Sequence, residues 1–253
     1  MNALARAELL KLRSTRILGW LLAATLTMVL VTIIASVPTT GPPHDVMSLD
    51  DPALLARIVG VSFLWPQLTV ALLGVLIYTQ EERYGTITST FLVEPQRRRV
   101  LAAKGLALAL ASAVLAVAIL AASLIASAAL IRARHGNATL GVVFWQVVAA
   151  AFLVMALSGL IGLAVGALLR NQIVAVTLTL IWLTVGEHLL IEALPQVARW
   201  TPGGATDALL QLGADATTTG TLLKAPFGGL LLVGYTAAAV GLAIVIAPRR
   251  DVL

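Results

Sequence analysis

The chain has 253 residues, of which 59% are hydrophobic and only 11% charged, with a mean hydropathy of +0.97 and a formal net charge of +5. Soluble domains are about 45–50% apolar and about 25% charged, so a cytosolic enzyme, a disordered chain and a free nucleic-acid-binding domain are excluded, and the chain belongs in a bilayer. It has no cysteine, hence no disulfide, thiolate metal site or cysteine nucleophile, and His44, His135 and His188 are too far apart in sequence to suggest a metal centre.

Six apolar runs without Lys or Arg, at 17–37, 58–80, 105–131, 142–169, 172–194 and 227–247, are each long enough to cross a membrane as a helix. They are apolar on all faces rather than alternating, which excludes barrel strands. The predicted fold is an all-α integral membrane protein with six transmembrane helices and both termini in the cytoplasm. The first run exceeds the 7–15 residues of a signal-peptide core and is expected to stay as a span. Before it, residues 1–16 read as an interfacial helix, with Arg6, Arg13 and Arg16 on one side and Leu4, Leu9, Leu10 and Leu12 spread around it.

Residues 38–57 form a loop with turn residues Gly41-Pro42-Pro43. Asp51-Pro52 is a helix start, Asp as N-cap and Pro at the first helical position. Pro66 within the second run lacks a backbone donor and is expected to kink it. Charge then begins abruptly, from Glu81-Glu82-Arg83-Tyr84-Gly85-Thr86-Ile87 to Arg97-Arg98-Arg99 and Lys104. Gly85 suits the left-handed end of a helix, and Thr86 can cap a short helix ending near Phe91 or Val93, before Glu94-Pro95. The arginines suit a lipid anchor; Glu81 and Glu82, which anionic lipid repels, suit a docking site.

Placing the N-terminus in the cytoplasm puts 12 of the 17 basic residues inside, including Arg6, Lys11, Arg13, Arg16, Arg97, Arg98, Arg99 and Lys104. Arg132 and Arg134, between the third and fourth runs, dissent. The net balance is +7 inside and −2 outside, so the basic excess reads as orientation and contact with membrane lipid, not nucleic acid. Only Arg170-Asn171 separates the fourth and fifth runs. The long outer segment 195–226 is too apolar at 208–212 to be a plain loop, and is expected to pack on the membrane face as a short helix or re-entrant segment.

Together, the Glu8-Leu-Leu-Lys11-Leu-Arg13 segment before the first span, the acidic-Tyr84-Gly85-Thr86-Ile87 loop after the second, Pro95 with its basic cluster and Lys104 before the third, and the long last outer loop resemble a permease subunit of the type-2 ATP-binding-cassette (ABC) transporters. The resemblance implies an exporter working as a dimer with an identical or related second permease subunit and two copies of an ABC ATPase. It also implies that the 81–104 loop carries a coupling helix docked on the ATPase, and that the N-terminal helix lies on the inner membrane surface, as a lipid anchor or as a further ATPase contact. No Gly-x-x-x-x-Gly-Lys-Ser/Thr phosphate loop occurs. The chain is therefore not expected to be an enzyme or to hold a cofactor, and ATP and Mg would bind the partner. The expected location is the plasma membrane, in a bacterial setting. Few charges line the spans, so the cargo is expected to be hydrophobic or amphipathic: a drug, lipid or peptide.

Within the spans, Glu187 and His188 stand out, because intramembrane charge is costly and by default functional. They suit a proton relay or, given their shallow depth, a polar rim at a wet outer vestibule, with Glu192 as the better-placed partner for His188. Gln67 suits interhelical hydrogen bonding. Ser158, Gly162 and Gly166 form a small-residue ridge, either inside the subunit or at a dimer seam. No Ser–His or paired-Asp constellation supports an intramembrane protease. Two other readings remain: an ion-coupled carrier working through Glu187 and His188, and a non-transporting membrane scaffold.

Overall fold

The computed structural model describes residues 6–11, 16–36, 51, 53–86, 92, 94, 96–136, 140–212 and 222–246. Among these the chain is helical without strands, and six helical segments are long and apolar enough to cross a membrane. After a short helical segment at 6–11, the elements are α1 (Arg16–Ser36), α2 (Leu54–Ser62), α3 (Leu64–Arg83), α4 (Arg97–Ala133), α5 (Val142–Leu169), α6 (Gln172–Ile181), a π-helical turn (Trp182–Gly186), α7 (Glu187–Ala193), α8 (Pro195–Ala198), α9 (Pro202–Leu209) and α10 (Ala225–Ile246). Arg13, Pro52, Ile87 and the expected coupling helix beginning at Ile87 lie outside the described residues, as do the side chains of Arg16 and Arg97.

The second span is α2 plus α3, divided at Phe63. Pro66 explains the division: without an N–H it cannot bond the Ser62 carbonyl four residues back, and its ring crowds that carbonyl. At the start of α2, Asp51 Oδ1 accepts the Ala53 N–H at 2.7 Å, satisfying one of the donors a helix leaves free at its first turn.

The third span is much longer than its apolar run. At 37 residues and about 1.5 Å per residue, α4 reaches about 55 Å, against a hydrocarbon thickness of about 30 Å. At least one end therefore clears the bilayer. This accounts for Arg132 and Arg134, which are exposed at one end, without redrawing the span.

The fourth helix, α5, is central and packs against α2, α3, α4 and α10. Hydrophobicity cannot drive this packing in lipid, so close contact must, and the small-residue ridge supplies it. A Cβ on Gly162 would collide with the Ala71 backbone, and one on Gly166 would sit 2.8 Å from the Val75 carbonyl oxygen. From α3, Gly74 meets the backbone of Gly159 and Leu163. Gly162 and Gly166 of the ridge are thus consumed inside the subunit rather than at a dimer seam. By contrast, the first, fifth and sixth spans are largely exposed, leaving apolar surface for lipid or a partner.

The segment after the fifth span folds back as α8 and α9. Thr201 caps α9, its hydroxyl accepting the Gly204 N–H, and Pro202 opens it. Gly203, Gly204, Ala205, Thr206, Ala208 and Leu209 are buried. A Cβ on Gly228 of α10 would crowd the Ala205 carbonyl oxygen and Ala208, and Tyr235 donates to the Trp200 carbonyl at 2.7 Å. The described part of this segment is therefore short helices packed on α10, rather than a plain loop.

Candidate functional site

Two polar constellations stand out, one at each end of the helical body. The first joins the N-terminal segment, the end of α3 and the start of α4. Lys104 Nζ lies 2.9 Å from Glu8 Oε2 and 2.8 Å from Glu81 Oε1, and donates to the Ile77 carbonyl at 3.4 Å. Its three donors are thereby used. Lys11 Nζ bridges the same carboxylates, 2.9 Å from Glu8 and 2.7 Å from Glu81. The cluster balances two cations with two anions. Lys104 is 1% exposed, Glu8 5% and Glu81 7%, while Lys11 caps the group from the surface. Burial alone would raise the Glu8 carboxyl, but Lys104 and Lys11 outweigh it and hold it below its ordinary 4.5. Burial would likewise lower Lys11, but Glu81 and Glu8 outweigh it and hold it above its ordinary 10.5.

This geometry corrects two expectations. Lys104 does not reach lipid headgroups, because its ammonium is sealed between two carboxylates. Glu81 is turned into the body rather than out of the loop. Glu8, which sequence reasoning used only as part of a motif, is the third buried member. Glu8, Glu81 and Lys104 lie 23 to 96 positions apart, beyond the reach of any local pattern.

Beyond the cluster the chain turns outward. Tyr84 and Gly85 are exposed, with Gly85 at φ +69°, the left-handed conformation expected of it. The Arg83 guanidinium lies 5.9 Å from the Tyr84 ring centre, and Arg83 Nη1 donates to Gln172 Oε1 at 3.3 Å. Glu82 Oε1 pairs with Arg170 Nε at 3.5 Å. Arg170 itself has φ +55° and ends α5. Glu82 and Arg83 thus brace the turn against the link between the fourth and fifth spans, and Tyr84, Gly85 and Thr86 are left as its exposed face. Arg6, Arg98 and Arg99 are exposed at the same end.

The second constellation is a cavity of about 300 Å³ at the opposite end, walled by α1, the broken second span, the fifth span and α9. It brings together Gln67, Glu187 and His188, all singled out in the sequence, and adds Asp207, which was missed. Glu187 is 7% exposed and its Oε1 accepts the Trp182 indole N–H at 3.1 Å. The π turn directly before it spans Trp182 to Gly186. Such turns occur often at functional sites, and no sequence signal announces this one. Gln67 Nε2 donates to Thr206 Oγ1 at 3.3 Å. Burial pushes the Asp207 carboxyl up to about 6, while His188 nearby holds it down. His188 and Asp207 of α9 line the same cavity, whereas Glu192, expected as the His188 partner, is exposed and is not on its wall. The Thr201-Pro202 cap, the same pattern as Asp51-Pro52, was the available signal for the helix that carries Asp207.

Glu187 also explains Gly203. A Cβ there would collide with the Glu187 carboxylate, so Gly203→Ala is expected to cost about 1–3 kcal/mol by overpacking. Combined with Glu187→Ala it should cost less than the two single changes added together, as read by thermal unfolding of the four purified proteins. Additive losses would mean that the two positions do not press on each other.

Residues 4–186 match the family model described as "ABC-2 family transporter protein", and the chain belongs to that family. No curated protein matches the chain in a sequence comparison. Family membership and the six spans make the protein a multi-pass membrane component of an ABC transporter, a permease that associates with an ABC ATPase held on a separate subunit. This removes the ground for the ion-driven carrier and for the non-transporting scaffold. The match covers the buried ion cluster and the turn at 84–86; it stops immediately before Glu187.

Proposed function

We propose that the chain is the permease of an ABC exporter in a bacterial plasma membrane. Two permease subunits, identical or related, line the pathway, and two ATPase copies, which bind ATP and Mg, drive it. The end bearing the N-terminus faces the cytoplasm, as the basic balance supports. The observation that carries the reading is the exposed Tyr84-Gly85-Thr86 turn, set on a base of buried ion pairs that ties α3, α4 and the N-terminal segment together. A push on this turn reaches α3 through Glu81 and α4 through Lys104 with little slack, because the joining groups are buried and multiply bonded. Residues 84–93 then form the ATPase contact, Arg6, Arg98 and Arg99 meet anionic lipid, and hydrophobic or amphipathic cargo is moved outward.

The test is coupling. In proteoliposomes containing the permease and its ATPase, Glu82→Arg sets like charges at Arg170, and Gly85→Pro demands φ near −65° where the turn needs +69°. Each is expected to lower cargo-stimulated ATP hydrolysis at least tenfold while the permease stays monodisperse. Stimulation at the wild-type level in both variants contradicts the placement of the coupling contact.

A further inference from the structure

A second cavity, of about 230 Å³, lies beside the first and shares Gln67 and Leu183 with it. Its walls come mainly from Ala71, Ile161, Val165, Leu178 and Leu232, with Trp182 between the two spaces. Two residues of its wall carry buried hydroxyls without hydrogen-bond partners among the described residues: Ser158 Oγ, on a residue 4% exposed, and Thr179 Oγ1. Gln67, 7% exposed, lines both spaces and donates through its amide nitrogen to Thr206 Oγ1. Buried polar atoms are ordinarily satisfied, so orphan hydroxyls on a cavity wall point to something that fills it.

The two spaces differ in chemistry. The first carries the carboxyl groups of Glu187 and Asp207, and the second is apolar. No Lys or Arg lines either one. Among the described residues no three side chains group as metal ligands, so the carboxyl pair does not describe a metal centre. An acidic, partly aromatic chamber (Trp65 on one wall) beside an apolar one, with Gln67 and Leu183 common to both walls, fits a molecule with a positive charge at one end and a hydrocarbon body at the other. His188 also lines the first space, so its two carboxyl groups outnumber its basic side chains two to one, and a positive charge on the occupant balances them.

We propose that these adjoining cavities form a binding site for hydrophobic organic cations, with the charge held by Glu187 and Asp207 and the apolar body lying between Ser158, Thr179 and Leu232. The proposal rests on the permease reading and narrows its cargo class. The family match ends at residue 186, so the carboxyl pair belongs to this chain's own sequence rather than to the matched pattern.

The test is equilibrium binding of radiolabelled tetraphenylphosphonium to the full-length protein in lipid nanodiscs at pH 8, where Asp207 is ionised. Tetraphenylborate serves as the competitor of similar shape and opposite charge. Wild type is expected to bind the cation saturably, and Asp207→Asn to weaken binding at least fivefold. The Glu187→Gln/Asp207→Asn double variant should weaken it at least fiftyfold, and Ser158→Leu, which fills the apolar chamber, at least fivefold. Tetraphenylborate should not compete. Asp207→Asn stands at the rim and decides the matter if the double variant does not fold. Equal binding by wild type and Asp207→Asn, effective competition by tetraphenylborate, or no saturable binding overturns the proposal. If the ATPase still copurifies in that last case, the permease reading survives and only the cation site falls.

Discussion

Replacing Lys104 with Met is expected to destabilise the protein by about 3–5 kcal/mol, the cost of leaving buried charges without their partner. Lys104 is 1% exposed and contacts both Glu8 and Glu81. Met fills much of its volume, so the loss isolates charge rather than packing. Thermal unfolding followed by size-exclusion chromatography should fall by roughly 10 °C. Adding Glu8→Gln and Glu81→Gln removes the stranded carboxylates and should recover most of that loss, whereas either added alone should recover less. A melting temperature within a degree or two of wild type for Lys104→Met would show that the cluster contributes nothing.

The same cluster fixes a pH profile. Glu8 is held below its ordinary value, so its contribution is complete above 4.5 and disappears as pH falls through the folded value. Lys11 is held above its ordinary value, so its contribution is complete below 10.5 and disappears as pH rises through the folded value. The stability difference between wild type and Lys104→Met should therefore be flat between about pH 6 and pH 9 and shrink in acid.

Gly162→Leu is expected to prevent accumulation of folded protein. Residue 162 meets the Ala71 backbone, and backbone cannot rotate aside as a side chain can, so α3 and α5 would have to separate along their whole contact. Gly162→Ala, the smallest addition, should already cost about 1–3 kcal/mol. Gly241→Leu on α10 is the matched control, since nothing lies within 4 Å of a Cβ there. It should express and melt like wild type. Similar yields of the two leucine variants would refute the close α3–α5 contact.

What was legible in the sequence follows the range of the signals. A run of about 20 apolar residues needs no context to be read as a span, and Pro66 announces the break at Phe63 by removing one donor. Gly85 likewise declares its left-handed turn. Helix ends were less legible: α4 runs well past its apolar stretch because charged residues propagate a helix as readily as apolar ones once it leaves the bilayer. The ridge at Ser158, Gly162 and Gly166 could be seen, but its partner could not, since small residues say only that something comes close. The ion cluster was hidden for a different reason. Lys11 and Lys104 look like any juxtamembrane cations until the fold brings Glu8 and Glu81 against them. Asp207 carries no signal of its own within the outer segment 195–226, although Thr201-Pro202 marks a helix start there.

The central claim, a permease driven by a separate ATPase through the turn at Tyr84-Gly85-Thr86, is tested most directly by affinity purification of the full-length chain from native membranes, beside the Glu82→Arg and Gly85→Pro variants. The expected result is an ABC ATPase recovered with wild type and reduced at least tenfold with both variants, each of which remains monodisperse. Recovery of wild type without an ATPase, or equal recovery of the ATPase with all three proteins, would contradict the account.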